Sequence, residues 1–536
     1  MKISFYGAAH EVTGSCTIVN ALGKTIMIDC GLEQGPDIYE NCEIPIVPAD
    51  IDYLLLTHAH IDHSGKIPYL TANGFCGYVY TTLATHKLCE IMLLDSAYIQ
   101  EFEAKWRNRK AARAGEDPYI PLYTIADAQK SLTQFVSCGY EKEYSLCPGI
   151  TITFTDAGHL LGSASISLNI TENGKKKTIV FSGDLGNRMR PLIRDPGQPH
   201  SADYVVIEST YGNRLHVERE DYVLQLTRII ETTFNRGGNV IIPCFAVGRT
   251  QELLYLIRII KERGLIRGHD NFPVYVDSPL AVNATEIYGS NLTEFFDDET
   301  LKLLEKGINP IKFSNLKLSV TSEDSVNINR DKTPKVILSA SGMCEAGRIR
   351  HHLKHNLWRR ESTVLFVGYQ SEGTLGRAIL DGAKKVRMFG EEIQVNAKIE
   401  HLEGISSHAD RDMLIDWLDG FSIKPSTVFV NHGSDGVCDE FAKTVKERLG
   451  IDAIAPYNGA KYDLITGECI ERGNNKPIVK KEREPKNKRK SVAYLSLFMA
   501  GKRLMEIIER HREGSNKDIA KLTNQINSLC DKWDRQ

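Results

Sequence analysis

Three histidines and an aspartate fall within six residues of one another, in the string Thr57-His58-Ala59-His60-Ile61-Asp62-His63. Imidazole nitrogens and carboxylate oxygens are the ligands that zinc prefers. Four such side chains are costly to bury in a core without a metal or charged partners. The string follows the apolar run 53–56, so we expect it to leave a buried strand as a loop. Alternate residues of that loop can face one cavity, and the string therefore predicts ligands for two adjacent metal ions.

Further histidines and carboxylates follow other apolar or glycine-containing strings. They are His159 after Asp156-Ala157-Gly158, Asp184 after Ser182-Gly183, Glu208 after Val206-Ile207, His408 in Ser406-Ser407-His408-Ala409-Asp410, and His432 in Asn431-His432-Gly433. Taken alone, a histidine is more often a hydrogen-bonded structural residue than a ligand. Taken together, at strand ends and beside a ligand string that needs partners, these residues predict one shared site.

The elements that must position these residues are short apolar runs, which are typical of strands buried on both faces. In the first 207 residues we predict strands at 25–29, 53–57, 178–182 and 204–208 and a helix at 83–113. From about 209 to 395 the alternation restarts, with predicted strands at 239–243, 273–277, 335–339 and 364–368 and a helix at 248–263. This pattern predicts an α/β fold whose second segment forms its own parallel sheet.

The character of the sequence changes after about residue 470. Residues 476–490 hold eight Lys or Arg and two Glu with two prolines among them, which predicts an exposed basic linker. Beyond the linker, Ser515 and Asp518 have the spacing of a helix cap. Apolar residues at helical spacing follow, namely Ile519, Leu522, Ile526, Leu529 and Trp533. A packing helix is the commoner origin of such a stripe, and a dimerisation or partner helix is the alternative.

Composition limits the classes of protein that fit. The chain of 536 residues carries 66 Lys and Arg against 69 Asp and Glu, so a polyanion must be bound by a local patch or a metal centre. One basic stretch, with Trp106 among its members, could follow a nucleic-acid backbone, although a solvated helix face is the commoner explanation; it comprises Lys105, Arg107, Arg109, Lys110 and Arg113. The 12 cysteines contain no Cys-x-x-Cys pair, which favours a reducing compartment. No uncharged apolar run approaches the roughly 20 residues that span a bilayer, so we expect a cytoplasmic protein.

These motifs resemble the metallo-β-lactamase superfamily and, within it, the beta-CASP nucleases of RNA processing, a family of bacterial and archaeal ribonucleases similar to the cleavage and polyadenylation endonuclease. The matching positions are Asp29; His58, His60, Asp62 and His63; His159; Asp184; Glu208; His408; and His432. Two further strings are typical of that family, Ser339-Ala340-Ser341-Gly342-Met343 and the string from Gly368 to Arg377. The resemblance covers about residues 1–465 and leaves the tail unexplained.

The resemblance implies a metallo-β-lactamase αββα sandwich, in which two mixed sheets lie between helices, with an inserted parallel-sheet α/β beta-CASP domain. We expect the sandwich at 1–208 and 396–470, the beta-CASP domain at 209–395, the basic linker at 471–490 and a helical C-terminal tail at 491–536.

The same resemblance assigns His58, His60 and His159 to one zinc ion and Asp62, His63 and His432 to a second. Asp184 would bridge the two ions, and Asp29 would fix the geometry of the ligands from behind. Manganese could replace zinc at a site that contains carboxylates. Two adjacent cations lower the pKa of a bound water, so that a hydroxide can attack a phosphodiester.

Proton transfer and substrate binding need further residues. His408 is the candidate general acid for the departing sugar oxygen, with Glu208 orienting it, and Asp62 and Asp184 complete the predicted catalytic set. A helix-capping or surface glutamate is the alternative for Glu208. A loop of small residues could present N–H groups to a substrate phosphate, although a tight turn that serves only packing explains it equally well; its candidate members are Ser339, Ser341, Gly342 and Met343.

The expected function is that of a zinc-dependent ribonuclease acting on single-stranded RNA in processing or decay. An endonuclease is favoured over a 5′-exonuclease, and a homodimer is left open. A small-molecule hydrolase such as a lactamase or thioesterase is disfavoured by the inserted domain, which suits a polymer cleft. A DNA nuclease is disfavoured by His432, and a scaffold that has lost its ligands is disfavoured by the complete ligand set.

Overall fold

The computed structural model of the protein describes residues 1–35, 39, 41, 44–217, 221–290, 292–402, 404, 406–478, 492–512 and 514–533. The chain divides into two compact units, one of residues 1–98 and 123–478 and the other of residues 99–122 and 479–536. Every predicted site residue belongs to the first unit. Within the described ranges, no helix is long and apolar enough to cross a membrane.

The described chain contains 23 strands, numbered in chain order. They are β1 (Lys2–Gly7), β2 (Cys16–Ala21), β3 (Lys24–Ile28), β4 (Tyr53–Leu55), β5 (Tyr78–Thr82), β6 (Phe135–Cys138), β7 (Glu143–Cys147), β8 (Ile150–Asp156), β9 (Ala164–Glu172), β10 (Lys175–Phe181), β11 (Tyr204–Ile207), β12 (Val240–Pro243), β13 (Val274–Asp277), β14 (Leu316–Ser319), β15 (Val336–Ser339), β16 (Thr363–Phe366), β17 (Lys385–Met388), β18 (Glu391–Gln394), β19 (Lys398–His401), β20 (Thr427–Val430), β21 (Asp452–Ile454), β22 (Lys461–Asp463) and β23 (Cys469–Glu471).

The described chain also contains 15 α-helices, and short 3₁₀ turns occur at Pro48–Asp50 and Thr293–Phe295. The helices are α1 (Ile61–Ser64), α2 (Ile67–Ala72), α3 (Leu83–Ala114), α4 (Ile125–Leu132), α5 (Tyr222–Asn235), α6 (Arg249–Glu262), α7 (Pro279–Tyr288), α8 (Asp298–Glu305), α9 (Ser322–Arg330), α10 (Ile349–Asn356), α11 (Leu375–Leu380), α12 (Arg411–Asp419), α13 (Val437–Leu449), α14 (Val492–Arg510) and α15 (Asn516–Trp533).

Two mixed sheets face each other across a shared hydrophobic core of the first unit. The eight-stranded sheet has the order β23-β22-β1-β2-β3-β4-β5-β6, and the seven-stranded sheet has the order β21-β20-β11-β10-β9-β8-β7. Side chains from both sheets, such as Phe5, Leu55, Phe154 and Phe429, pack between them. Strand β11 shows the alternation that this layering requires, because Val206 joins the inner core whereas Val205 and Ile207 pack outward with side chains of α12 and α13.

The strands that precede most of the site residues pair parallel with one another within each sheet. β3 pairs parallel with β4, and β10, β11 and β20 pair parallel in the other sheet. Because neighbouring parallel strands end at the same edge of a sheet, the residues that follow them are brought together there. This edge receives Asp29 and the string 57–63 from one sheet and Asp184, Glu208 and His432 from the other.

A third sheet has six strands in the order β14-β13-β15-β12-β16-β19, and all its pairings are parallel, as the apolar runs predicted. Side chains of α10 and α11, including Leu353 and Ile379, pack against Ile241, Val364 and Phe366 of this sheet. The chain enters it from β11 and returns to the sandwich at β20. Its last strand ends at His401, beyond residue 395.

The predicted strands are confirmed as β3, β4, β10, β11, β12, β13, β15 and β16, and the predicted helices at 83–113 and 248–263 are confirmed as α3 and α6. In the second unit, Ser515 caps α15, since its Oγ accepts from the Asp518 N–H at 3.2 Å. Four apolar side chains line a cavity of about 450 Å³ there, namely Ile508, Ile519, Leu522 and Ile526. The predicted basic stretch on α3 is exposed. Residues 479–491, which hold most of the predicted basic linker, lie outside the described residues.

Candidate metal centre

Four predicted ligands converge into a first group made of His58, His60, His159 and Asp184. Nε2 of His58 lies 3.1 Å from Nδ1 of His60, and Nε2 of His159 lies 3.2 Å from the same nitrogen. Oδ2 of Asp184 lies 3.5 Å from Nε2 of His58 and 3.5 Å from Nε2 of His159. The structure therefore brings three strand-end loops to one point.

The remaining three predicted ligands form a second group, Asp62, His63 and His432. Nε2 of His63 and Nε2 of His432 are 3.0 Å apart, and Nε2 of His432 lies 3.6 Å from Oδ2 of Asp62. Oδ1 of Asp184 lies 3.3 Å from Nε2 of His63 and 3.6 Å from Nδ1 of His432. The Asp184 carboxylate thus turns one oxygen toward each group.

The donor set fits a pair of metal ions. Nitrogen ligands of a tetrahedral zinc ion lie about 3.3 Å apart, close to the nitrogen separations in both groups. Oδ1 of Asp184 is buried and accepts no hydrogen bond from any residue that the structure describes, which is unusual for a buried carboxylate oxygen. Burial, helped by the charge of His63, holds the pKa of His58 well below its usual range, and burial with the charge of His408 does the same for His159. Neutral imidazoles are the form that binds metal.

Each of several histidines is held by a partner on its far side. Nδ1 of His63 lies 2.7 Å from Oδ2 of Asp29, whose carboxylate also accepts hydrogen bonds from the N–H and the hydroxyl of Thr57. Nδ1 of His159 lies 3.2 Å from the Ser407 carbonyl, and Nδ1 of His432 lies 3.2 Å from Oγ1 of Thr210. Such partners fix ring orientation at metal sites. Asp29 therefore contacts the far side of the His63 ring.

Backbone geometry at the site is specialised. Asp29 has φ of 58° and His432 has φ of 50°, a region that non-glycine residues rarely adopt and that clusters at functional sites. Gly186 lies so close to the His159 loop that a Cβ atom there would meet the Gly158 carbonyl oxygen at 1.7 Å. Only glycine permits this approach, which holds the Asp184 and His159 loops together.

His408 and Glu208 form a pair beside the first group. Nδ1 of His408 lies 3.1 and 3.2 Å from the two oxygens of Glu208 and 3.9 Å from Oδ2 of Asp184. Burial lowers the pKa of His408, but the charge and hydrogen bond of Glu208 outweigh burial and raise it to about 9. Glu208 is 2% exposed and its Oε1 accepts from the Leu185 N–H at 2.7 Å, so it is not a surface residue.

Arg190, which no sequence pattern identified, connects the loop that carries His159 with the loop that carries His408. Its NH1 donates to the His159 carbonyl at 2.6 Å and to the Ser407 carbonyl at 3.2 Å. Its Nε donates to Oε1 of Glu252, on α6, at 2.7 Å. All of these groups are buried or nearly so. An ion pair with a helix of the third-sheet segment therefore supports the loops that carry His159 and His408.

The predicted phosphate loop follows β15 and is built differently from the metal ligands. Ser339 is buried and its hydroxyl donates to the Asp277 carbonyl at 2.8 Å, while the Ser341 hydroxyl lies 3.4 Å from the Ala346 carbonyl. No described residue accepts a hydrogen bond from the N–H of Gly342 or Met343.

The sequence matches three family models in chain order. Residues 18–185 match the metallo-beta-lactamase superfamily domain, residues 250–379 match the Beta-Casp domain, and residues 392–456 match the Zn-dependent metallo-hydrolase RNA specificity domain. The first and third matches contain all seven candidate ligands.

Three curated proteins illustrate the similarity. The chain is 37% identical over 438 residues to "Ribonuclease TTHA0252" of Thermus thermophilus, an alignment that covers 81% of this chain and 94% of that protein. It is 31% identical over 462 residues to "RNase J-like protein" of Methanocaldococcus jannaschii, covering 85% and 98%. It is 32% identical over 474 residues to "Transcription termination factor FttA" of Methanosarcina mazei, covering 85% and 71%.

Proposed function

This chain belongs to the beta-CASP family of the metallo-β-lactamase superfamily, and from that premise we propose that it is a zinc-dependent ribonuclease that cuts phosphodiester bonds of single-stranded RNA. The observation that carries the proposal is the pair of ligand groups with the Asp184 carboxylate between them, one oxygen toward each group, and the His408–Glu208 pair directly beside them. The RNA specificity domain and the ribonuclease names of two relatives support RNA as the substrate.

His58, His60 and His159 would hold one ion, Asp62, His63 and His432 the other, and Asp184 both. When bound, two such ions activate water as a nucleophile and neutralise charge that develops on the phosphate. The chain's own contribution is to hold these ligands in place before substrate arrives. Asp29, Thr57 and Thr210 orient the imidazoles from behind, and Arg190 supports the His159 loop.

His408 would donate a proton to the sugar oxygen that leaves. Its Nδ1 is engaged by Glu208, so Nε2 is the atom that can face the leaving group. Glu208 stabilises the charged imidazolium and is itself fixed by the Leu185 N–H. The N–H groups of Gly342 and Met343, with Ser339 and Ser341 shaping their loop, would bind a phosphate of the substrate.

The proposal extends to the organisation of the chain. We propose a sandwich formed by 1–208 and 396–470, a beta-CASP domain at 209–395, a basic linker at 471–490 and a helical tail at 491–536. Internal cleavage is favoured over 5′-end degradation. Removal of residues 491–536 tests whether the tail forms a homodimer, by comparing molar mass in solution before and after.

A time course on zinc-loaded protein tests the function, with single-stranded RNA labelled separately at each end beside the matching DNA. Discrete RNA fragments that vanish with His432→Ala would support an RNA endonuclease, whereas mononucleotides released from the 5′ end would indicate an exonuclease. Equal cutting of DNA would contradict the preference for RNA. Hydrolysis of a generic phosphodiester or thioester with no cutting of either polymer would favour a small-molecule hydrolase.

A further inference from the structure

Three loops leave the third sheet at the same edge and carry residues that the metal chemistry does not use. β15, β12 and β16 are neighbouring parallel strands, so the segments that follow them emerge side by side. Phe245 follows β12, Gly342 follows β15 and Tyr369 follows β16. In parallel sheets this is the edge at which ligands bind.

Two of these residues are aromatic side chains left open to solvent. Phe245 is 54% exposed and Tyr369 is 47% exposed, although large aromatic side chains are usually buried. The Phe245 ring lies beside Gly342, since a Cβ atom at Gly342 would be 3.3 Å from it. The Phe245 ring therefore flanks the loop whose Gly342 and Met343 N–H groups have no acceptor among the described residues.

The Tyr369 loop is fixed to that same loop by hydrogen bonds. Nε2 of Gln370 donates to the Gly342 carbonyl at 3.1 Å, and the Gly376 N–H donates to the Met343 carbonyl at 3.1 Å. The backbone on both sides of Tyr369 is thus connected to the Gly342–Met343 loop. A planar ring in a fixed position loses little entropy when a second ring stacks on it.

A cation connects Tyr369 to the catalytic pair. The Arg214 guanidinium carbon lies 4.2 Å from the ring centre of Tyr211 and 5.3 Å from that of Tyr369. The Tyr211 ring in turn lies 6.0 Å from the His408 ring, edge to face. The Arg214 side chain is exposed, so a phosphate can approach its charge.

We propose that Tyr369 and Phe245 form a nucleobase-stacking subsite, with Arg214 and the Gly342–Met343 backbone binding the adjoining phosphates. The subsite takes a single-stranded segment of RNA, because paired bases of a duplex have no free face to stack on an aromatic ring. It reads no particular sequence, since every base has a π-face. The proposal rests on the ribonuclease function and adds the residues that hold the strand beside His408.

Tyr369→Ala tests the subsite on metal-loaded, full-length protein. Stacking of one base on an aromatic side chain is worth a roughly 5- to 150-fold change in binding, so we expect KM for a single-stranded oligonucleotide to rise by that factor. Bound metal, measured on the same preparation, should stay unchanged. Tyr369→Phe should keep the wild-type KM because it keeps the ring.

Trp358→Ala is the matched control, since Trp358 is also an aromatic residue of this sheet segment and is 57% exposed. It precedes β16 whereas Tyr369 follows it, so the two lie at opposite edges of the sheet. Trp358→Ala should leave KM unchanged. Equal KM values for Tyr369→Ala and wild type, or equal increases for Tyr369→Ala and Trp358→Ala, would overturn the subsite while leaving the ribonuclease function intact.

Abasic substrates separate stacking from a general loss of structure. We would place one abasic nucleotide at each position of the oligonucleotide in turn. At the contacted position, wild type and Tyr369→Ala should have the same KM, because the base that stacks is gone. If the difference between them persisted at every position, the stacking proposal would be wrong. A wild-type protein that cut no RNA at all would instead overturn the function on which the subsite rests.

Discussion

Among the described residues, two buried clusters that contain histidine and aspartate differ in how their polar atoms are satisfied. The first is the metal cluster, made of His58, His60, Asp62, His63, His159, Asp184 and His432. The second, the Asp277 cluster, lies in the third-sheet segment and comprises Asp277, Ser319, Ser325, Arg348 and His352. Both lie at the ends of parallel strands, so position in the fold does not distinguish them.

In the Asp277 cluster every side chain has a conventional partner. Oδ1 of Asp277 accepts from Ser319 Oγ at 2.8 Å and from Arg348 NH1 at 2.7 Å. Its Oδ2 accepts from Ser325 Oγ at 2.6 Å and from His352 Nε2 at 2.6 Å. Nδ1 of His352 lies 3.0 Å from Oδ1 of Asn329. Both carboxylate oxygens and both ring nitrogens are thus satisfied by protein alone.

The metal cluster has the opposite character. Ring nitrogens face one another at 3.0 to 3.2 Å, and Oδ1 of Asp184 accepts no hydrogen bond from the described residues. The five histidines outnumber the carboxylates available to pair with them, which are Asp29, Asp62 and Asp184. A buried His–Asp cluster whose atoms are all satisfied by protein is typical of a structural role, whereas one whose ligand atoms converge on a common point is typical of a cation site.

Of the substitutions that test the contrast between the metal cluster and the Asp277 cluster, Asp184→Ala is expected to have the largest effect. Because one carboxylate serves both ligand groups, the variant should lose both metal ions and cut RNA no faster than metal-free protein. Metal content by plasma mass spectrometry and cleavage of labelled RNA measure this. Asp277→Ala is the matched control and should keep the wild-type metal content. Unchanged metal in Asp184→Ala would count against the bridge.

The next largest effect is expected from His408→Ala, which removes a histidine that adjoins the metal cluster without being part of it. Turnover should fall about 10²- to 10⁴-fold, as is usual for the loss of a general acid, while bound metal stays unchanged. Single-turnover kinetics and metal analysis on the same preparation measure both. A metal-free His408→Ala protein would instead make His408 a ligand and enlarge the metal cluster.

Asp277→Ala should damage stability rather than chemistry. Removing one partner of a buried charge network costs about 3–5 kcal/mol, and here it leaves Arg348 and His352 without their carboxylate. Hydrogen exchange of β13 and β15 reports the local free energy of opening, which should fall by that amount while exchange in β3 and β10 is less affected. Equal loss of protection in all three sheets would contradict this prediction, because it would mean that the two clusters are not independent.

The smallest effect is expected on the pH dependence of local stability, when Asp277→Asn is compared with wild type. Burial alone would raise the pKa of Asp277, but hydrogen bonds from His352, Ser325 and Arg348 outweigh burial and lower it. A carboxyl group with a lowered folded-state pKa stabilises the fold above its unfolded pKa of about 3.9 and loses that stabilisation as the pH falls further.

Wild type should therefore exceed Asp277→Asn in local stability by about 1.5–3 kcal/mol at pH 7, the usual worth of hydrogen bonds to a charged group. The difference should shrink as the pH falls below about 4. Hydrogen exchange of β13, corrected for the intrinsic rate at each pH, measures it. A difference that grew on acidification would mean that Asp277 is protonated in the fold.

The convergence of the metal-cluster side chains on one site could be expected from the sequence because each of them lies shortly after the end of a strand. His58 to His63 follow β4, Asp184 follows β10 and His432 follows β20, so local pattern and parallel pairing together place them. The Asp277 cluster could not be predicted. Its members come from β13, β14, α9 and α10, and only the folded sheet brings Ser319 and Ser325 to the carboxylate.

Residues that support the ligands through a backbone carbonyl or a hydroxyl could not be predicted either. Ser407 contributes a backbone carbonyl to His159, and Thr210 contributes a hydroxyl to His432. Neither contact has a sequence pattern by which it could be recognised. Strand β19 gave no signal because it lies at the edge of its sheet, where Lys398 and His401 are exposed and no apolar run forms. Arg190 shows the same limit, since its role depends on Glu252, which is distant in the chain.

The parallel pairing of β11 with β20 has a consequence for how the protein is made. Residues 208–426 separate these neighbours, so during synthesis the ribosome releases Asp184 and the His58 string long before His432. The sandwich cannot close until the whole intervening segment has emerged, and long-range parallel pairing is intrinsically slow. If the third sheet forms first, it shortens the effective loop that must be closed, although each doubling of loop length costs only about 0.6 kcal/mol. The nascent chain therefore carries an incomplete ligand set until translation has passed residue 432.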